Sequence, residues 1–501
     1  MLVPRQFRRA VTTVVLIAGL GIAGAPAAFA HPSDDGDKPH QSGQSKREQY
    51  TDGTSVPLIS SPNVRLANTF PDVSAISGCF AKSAPYFYTS SLNSITVFDA
   101  SDPLNPTPTG ALDNLVFENE AMNCGEKKVD GVTTRFVLVG IDLTQTSSDD
   151  IEHVRPVGFD EFLVVDVTDP AQPYIRSRTK TSSSTHTVAC VDDTACDYVY
   201  TAGGSVVDLT DLDNPREIKQ VESPALEPTP NFSSGSGHKW NFDSAGYGLH
   251  TGSGGTAIFD VRDPADPKLV TGTDENGIAE GWNDFIHHNS DRPHADKFRA
   301  DAPPSIDNGN VLLVTEEDYE NTDCATAGSF QTWHVNSLDG TPEAVTPLDR
   351  INPIEVGTGV ALPHLAFCSA HWFDYHQSGF VAQGFYEGGL RILDVRDATA
   401  IAEHGYFASG LSEVWDAYWV PERNRKGIAT GRKTNIVYTA DLVRGIDVFT
   451  VDLPKPGEKD EDDTSQPPLP LTVSTGSLGV DGVLGLMATV VFAGVIRRRR
   501  K

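Results

Sequence analysis

Apolar and polar residues alternate in short runs along most of the chain, and each run closes on an acidic turn. The run Gly388-Gly389-Leu390-Arg391-Ile392-Leu393-Asp394-Val395-Arg396-Asp397 shows the pattern most fully. Its alternating apolar positions predict a β-strand, and the acids that follow predict the turn that ends it. Shorter echoes stand at 95–103, 163–170, 205–211 and 257–264, and five clear copies exclude coincidence.

Each copy sits in the same local order. A strand of the type Tyr198-Val199-Tyr200-Thr201 comes first, then a Gly-rich turn, then the repeated phrase with its acidic turn. A short strand opened by a proline, such as Pro173, Pro215 or Pro267, comes next. Proline cannot donate to a ladder, so this last strand belongs at a sheet edge. One more strand precedes each unit, with His186, His238, His288 or His371 in four of the cases. Four short strands per unit make a propeller blade. Leading strands near Gly78, Ala121, His186, His238, His288, His371 and Val414 give seven blades. The central phrase is degenerate at 331–335 and 445–451, and inserted loops are expected at 142–159, 291–309 and 317–329. The seventh unit stops at Asp452-Leu453-Pro454 without its proline-led strand, while Pro62 opens such a strand with no unit of its own. The expected fold is therefore all-β, a seven-bladed β-propeller whose N-terminal strand closes the last blade and removes an open edge.

The ends of the chain read differently. Residues 1–30 carry Arg5, Arg8 and Arg9, an apolar run and Ala28-Phe29-Ala30, the pattern of a secretory signal peptide. Residues 31–58 have too little apolar surface to offset their ordering entropy and are expected to be a disordered spacer. The propeller is expected over 59–453, with an acidic, Pro-rich tether over 454–476. Residues 477–501 hold an apolar run ending in Arg497-Arg498-Arg499-Arg500-Lys501, which predicts a C-terminal membrane anchor. Ahead of it, Leu469-Pro470-Leu471-Thr472-Val473 resembles the LPXTG cell-wall sorting signal of Gram-positive bacteria, with Val473 in place of the glycine. That resemblance implies sortase processing at Thr472, and membrane retention is the simpler alternative.

Charge narrows the partners. Without the three arginines of residues 1–30, the chain keeps 36 bases against 68 acids, which argues against nucleic acid as a partner. Six cysteines in an exported chain can form disulfides. Cys190 and Cys196 are close enough to bridge a hairpin. Six cysteines allow fifteen pairings, so sequence leaves the other two bridges open, with Cys79 to Cys124 and Cys324 to Cys368 as the candidates.

The repeated Val/Ile/Phe-Asp-Val/Leu-x-Asp-x-x-x-Pro phrase resembles the LVIVD repeat, a β-propeller repeat of bacterial and archaeal surface proteins, over about residues 60–452. The resemblance implies the fold and a surface location and assigns no activity. A more distant likeness, carried by Cys368-Ser369-Ala370-His371 and the other blade-leading histidines, is to the selenium-binding protein and methanethiol oxidase propellers. There, histidines near the central channel are implicated in metal binding.

His186, His238, His288 and His371 hold equivalent positions in four successive blades, so they should ring one mouth of the channel. Converging imidazoles suit copper, zinc, nickel or iron. Repeat proteins also reuse one residue type for packing between units, which gives the same recurrence without a metal. Glu120, Asn123, His287 and Asp416 are expected near the same mouth as supporting partners. Thr315-Glu316-Glu317-Asp318-Tyr319 with Asp323 offers hard oxygens for calcium, and a solvated acidic loop is the plainer reading. No G-x-S-x-G elbow, P-loop or H-E-x-x-H is present, so no catalytic nucleophile is assigned. The function expected is that of a cell-surface binding module whose channel mouth and loops meet a protein, glycan or small molecule, since a display scaffold needs nothing the sequence lacks. The alternative is a metal-dependent enzyme of the oxidoreductase kind.

Overall fold

The computed structural model describes residues 58–91, 94–113, 120–129, 131–141, 161–192, 194–221, 237–273, 282, 285–318, 327–352, 368–409 and 412–454. The signal peptide, spacer, tether and anchor expected at the two ends lie outside these residues, apart from the short stretches at 58 and 454. Among the described residues no helix is long and apolar enough to cross a membrane. Their strands form seven antiparallel sheets, six of four strands and one of five. In chain order the blades run over 77–113, 123–180, 188–220, 237–272, 286–351, 373–409 and 414–451. The first strand of each blade touches that of a neighbouring blade, and blade seven returns to blade one through Val414–Arg423 and Ser77–Phe80. These contacts close a seven-bladed β-propeller.

The repeated phrase forms the third strand of its blade, as Leu390–Asp394 does in blade six. Both of its faces are buried, which explains why it is apolar beyond simple alternation. Leu390 and Ile392 pack toward blade seven, and Leu393 and Val395 toward blade five. Seven such clusters fill the seven gaps between neighbouring blades. The aspartates that end the phrase are turn formers: Asp99, Asp166, Asp208, Asp260 and Asp394 each accept the backbone N–H two residues on, at 2.8–3.1 Å. Gly389 has φ +81°, and a Cβ there would lie 2.2 Å from Phe407 O, so the turn before the strand requires glycine.

The N-terminal strand Val64–Phe70 pairs antiparallel with Gly445–Val451 and is the fourth strand of blade seven. It shares one irregularity with every other fourth strand, a register shift against the third strand, here between Leu66 and Asn68. Such bulges increase local twist, and their recurrence marks Val64–Phe70 as a true blade strand. Leu58–Ser60 adds a fifth strand to blade six by pairing with Phe407, Ala408 and Ser409. Leu58 thus belongs to a strand, whereas the sequence reading ended the spacer there. Three residues are too few to show a period.

Cys79 is bonded to Cys124, tying the inner strands of blades one and two, and Cys190 is bonded to Cys196 within blade three. Cys368 is also disulfide-bonded, and Cys324, its expected partner, lies outside the described residues. The insertion at 291–309 carries two 3-10 turns, Ala295–Lys297 and Ile306–Asn308. The loop expected at 142–159 is outside the described residues, as are 319–326 of the one expected at 317–329.

Candidate metal centre

The four blade-leading histidines reach one place. His238 lies within Gly237–Phe242 and His288 within Ile286–Asp291, while His186 and His371 stand two residues ahead of Val188–Cys190 and Phe373–His376. Register shifts between Gly237 and Trp240 and between His287 and Asn289 mark bulges where His238 and His288 sit. A bulge interrupts the two-residue alternation and re-aims a side chain. Gly237, just ahead of His238, leaves room for the ring of His250 on the neighbouring strand, since a Cβ there would lie 1.9 Å from its Nε2.

Glu120 stands at the centre of the group. Its Oε2 is 3.1 Å from Nε2 of His186 and 3.3 Å from Nε2 of both His238 and His288, and its Oε1 is 3.7 Å from Nε2 of His371. Nε2 of His186 is 3.1 Å from Nε2 of His238. Glu317 adds a second carboxylate, 3.5 Å from Nε2 of His288 and 3.9 Å from Nε2 of His371. All six side chains are buried. A tetrahedral ion with bonds of about 2.0–2.1 Å to nitrogen and oxygen separates its ligands by roughly 3.3 Å. The spacings around Glu120 Oε2 match that edge length. Three overlapping trios have ligand atoms within 4.8 Å of one another: Glu120, His186 and His238; Glu120, His288 and His371; His238, His288 and Glu317.

Hydrogen bonds between blades set the protonation of two of the rings. Nδ1 of His238 lies 3.2 Å from His288 O, and Nδ1 of His371 lies 2.8 Å from Trp415 O. A carbonyl oxygen only accepts, so Nδ1 carries the proton in both rings and the neutral ring presents a bare Nε2. Burial, only partly offset by Glu120, holds His238 down at about 4 and His288 well below the ordinary histidine value, so both are neutral at pH 7. Carboxylates and imidazole lone pairs therefore meet in a buried space. Acceptors so placed repel one another until a cation or protons lie between them. Tyr386 completes the group by donating its hydroxyl to Glu317, while its ring lies 4.6 Å from that of His371. Burial first, and then Glu317, raise the Tyr386 pKa well above the ordinary value, so the phenol keeps its proton.

Of the partners expected from sequence, Glu120 is in the cluster itself, and the others are engaged elsewhere. Asn123 accepts the Cys190 N–H at 3.1 Å. His287 points to the opposite side from His288 and meets Thr256 Oγ1 at 2.9 Å and Trp282 O at 3.2 Å. Asp416 is bonded by Tyr418 and by the Ala417 N–H, and burial raises its pKa well above the usual carboxylate value. The acidic run at 315–319 was expected as a solvated loop, with calcium binding as the alternative, but Thr315, Glu316 and Glu317 are buried in the strand Val311–Glu317, where they neither face solvent nor form a loop that can wrap an ion. Asp323 lies outside the described residues. Tyr386 gave no sequence signal beyond its place just before the phrase at 388.

An apolar group of Ile76, Ile286, Tyr386 and Trp415 flanks the cluster on one side, and Trp372 stands between the cluster and a chamber of the channel. Trp372 packs on the rings of His288 and His238, with centroids 4.4 and 5.7 Å apart. Trp372 also lines a channel chamber of about 320 Å³, with Lys239, Asn289, Asp374 and Asp416 among its walls. A second cavity, of about 730 Å³, shares Asn123, Asn241 and Asn289 with it. The Lys239 amine lies 5.2 Å from the centre of the Trp372 ring, and burial lowers its pKa to about 8.

Fold and site together define a seven-bladed β-propeller with a buried histidine and carboxylate cluster in its channel. No protein-family profile matches the chain. No curated protein matches it either. Among solved structures, the Cps50 (Swd1) beta-propeller domain of Myceliophteria thermophila is similar, with a TM-score of 0.46 and 11% identity over 78% of this chain and 100% of that one. The blade count rests on the strand pairings themselves.

Proposed function

We propose that this propeller is a metalloprotein that holds a transition-metal ion among His186, His238, His288, His371, Glu120 and Glu317 and uses it as a metal-dependent enzyme. One observation carries the reading. Rings whose Nδ1 protons are committed to the next blade aim bare Nε2 atoms at a buried carboxylate. Imidazole with carboxylate suits copper, zinc, nickel and iron. The oxidoreductase reading follows from the redox-active members of that set and from the likeness to methanethiol oxidase propellers. Elemental analysis of protein made with all four metals available tests it. The expected result is about one bound ion per chain, lost in a His238→Ala, His371→Ala double variant. Wild-type protein without stoichiometric metal would overturn the reading.

A second reading keeps the propeller as a binding module at the cell surface, meeting a protein, glycan or small molecule. The likeness to LVIVD-repeat surface proteins favours it, as do the bridges Cys79–Cys124 and Cys190–Cys196, which fit an oxidising compartment. Export by the N-terminal signal and retention by the C-terminal segment belong to both readings.

A further inference from the structure

We propose that the chamber beside Trp372 is a binding site for a small oxyanion, an organic carboxylate or an inorganic oxoanion, with the Lys239 amine and the Trp372 indole N–H as its donors. Two observations converge on that chemistry. Lys239 is 6% exposed, and among the described residues its amine has no hydrogen bond or ion pair with the protein. Trp372 is 3% exposed, and its buried Nε1 likewise has no hydrogen-bond partner. Both residues line the chamber, and the amine stands over the indole ring. Buried donors are normally satisfied, and an unpaired amine and an unpaired N–H on two residues lining one chamber call for a ligand that only accepts.

Neither acid of the chamber bonds to the amine; Asp416, and Glu120 beyond it, attract it only at a distance. Asp374 is ion-paired with Lys433 and accepts the Trp419 N–H at 3.0 Å. Asp416 is bonded by Tyr418 and the Ala417 N–H. The bulge explains how Lys239 comes to be there. It lets His238 and Lys239, adjacent in sequence, both serve the channel, one toward the histidine cluster and one toward the chamber. A volume of about 320 Å³ takes roughly ten water-sized groups, which limits the ligand to a small molecule. The proposal goes beyond the metal reading and does not depend on an ion being held; if one is, the chamber names the substrate class next to it.

The test is isothermal titration at constant ionic strength with acetate, oxalate, sulfate and phosphate as probes and putrescine as the cationic comparison. Whole protein is used both as purified and after chelator treatment, with metal content measured in each sample. Saturable binding of a carboxylate or an oxoanion is expected in both samples, and the two pairs of anions distinguish the organic from the inorganic source. Lys239→Met should weaken it at least tenfold, and Trp372→Phe, which removes the N–H end of the ring system, at least threefold, while Lys268→Met, on the exposed outer strand of blade four and away from the chamber, should leave it unchanged. Anion binding by metal-free protein would uphold the site even if the metal reading fails. Absence of saturable anion binding, equal affinity in Lys239→Met and wild type, or preference for putrescine would overturn it.

Discussion

Glu120 bears more of the centre than any single histidine, because one of its oxygens lies within 3.3 Å of three imidazole nitrogens. Glu120→Gln keeps the shape and replaces a charge by an amide, so metal affinity should fall by at least the tenfold to hundredfold that loss of an outer partner costs. Tyr386→Phe removes only the hydroxyl that orients Glu317, and a loss near tenfold is expected. Competition with a chromogenic chelator measures both, and equal affinity in wild type and Glu120→Gln would contradict the assignment. Acid should act on the metal-free fold through the same kind of residue. Burial holds His238 and His287 at about 4 and His250 at about 3. Between pH 6.5 and 4 the unfolded chain takes up protons there that the folded chain does not. Each of these groups therefore makes stability fall on acidification, by up to about 1.4 kcal/mol per pH unit. Asp441, raised to about 7, and Asp291, raised to about 6, act in the opposite sense, since their folded forms are protonated first. With His288, His334 and His376 also held low, and Asp416 and Glu403 also raised, six histidines stand against four acids and predict a net loss of stability from pH 6.5 to 4 in urea titrations. A rise over that window would contradict the balance.

At the scale of elements, the closing strand matters most. Val64–Phe70 covers the edge of Gly445–Val451, and Val64 is buried in the cluster between blades six and seven. Removing residues through Phe70 would expose that edge, so the truncated chain should unfold at a lower temperature and self-associate on warming. Differential scanning calorimetry with light scattering reads both, and an unchanged transition would show that the strand does not close the ring. Much of this architecture was legible in the chain. The phrase at 390–394 recurs because its strand is buried on both faces, and its terminal aspartate recurs because each closes the same turn. A missing proline-led strand after Asp452 and an orphan at Pro62 were enough to join the two ends. Leu58–Ser60 was not legible, because its pairing with Ala402–Ser409 rests on backbone bonds rather than on side-chain period.

Across the whole molecule, the channel gathers residues far apart in sequence, and only those tied to the repeat could be foreseen. The four histidines were legible because they stand at one position in successive blades. Glu317 was not, because it ends the second strand of blade five inside an acidic run that reads as a loop. Lys239 was hidden by the bulge, which places two consecutive residues where alternation allows one. Closure of the ring is what brings Glu120 of blade two within reach of His371 of blade six, at 3.7 Å. The central claim is that this meeting point holds a metal. Anomalous diffraction from crystals of protein purified without chelator, collected at the absorption edge of the ion found, tests it most directly. The account predicts a peak about 2.0–2.1 Å from Nε2 of His186 and His238 and from a Glu120 oxygen. Fully occupied protein with its anomalous peak elsewhere, or no peak from metal-supplied protein, would contradict it.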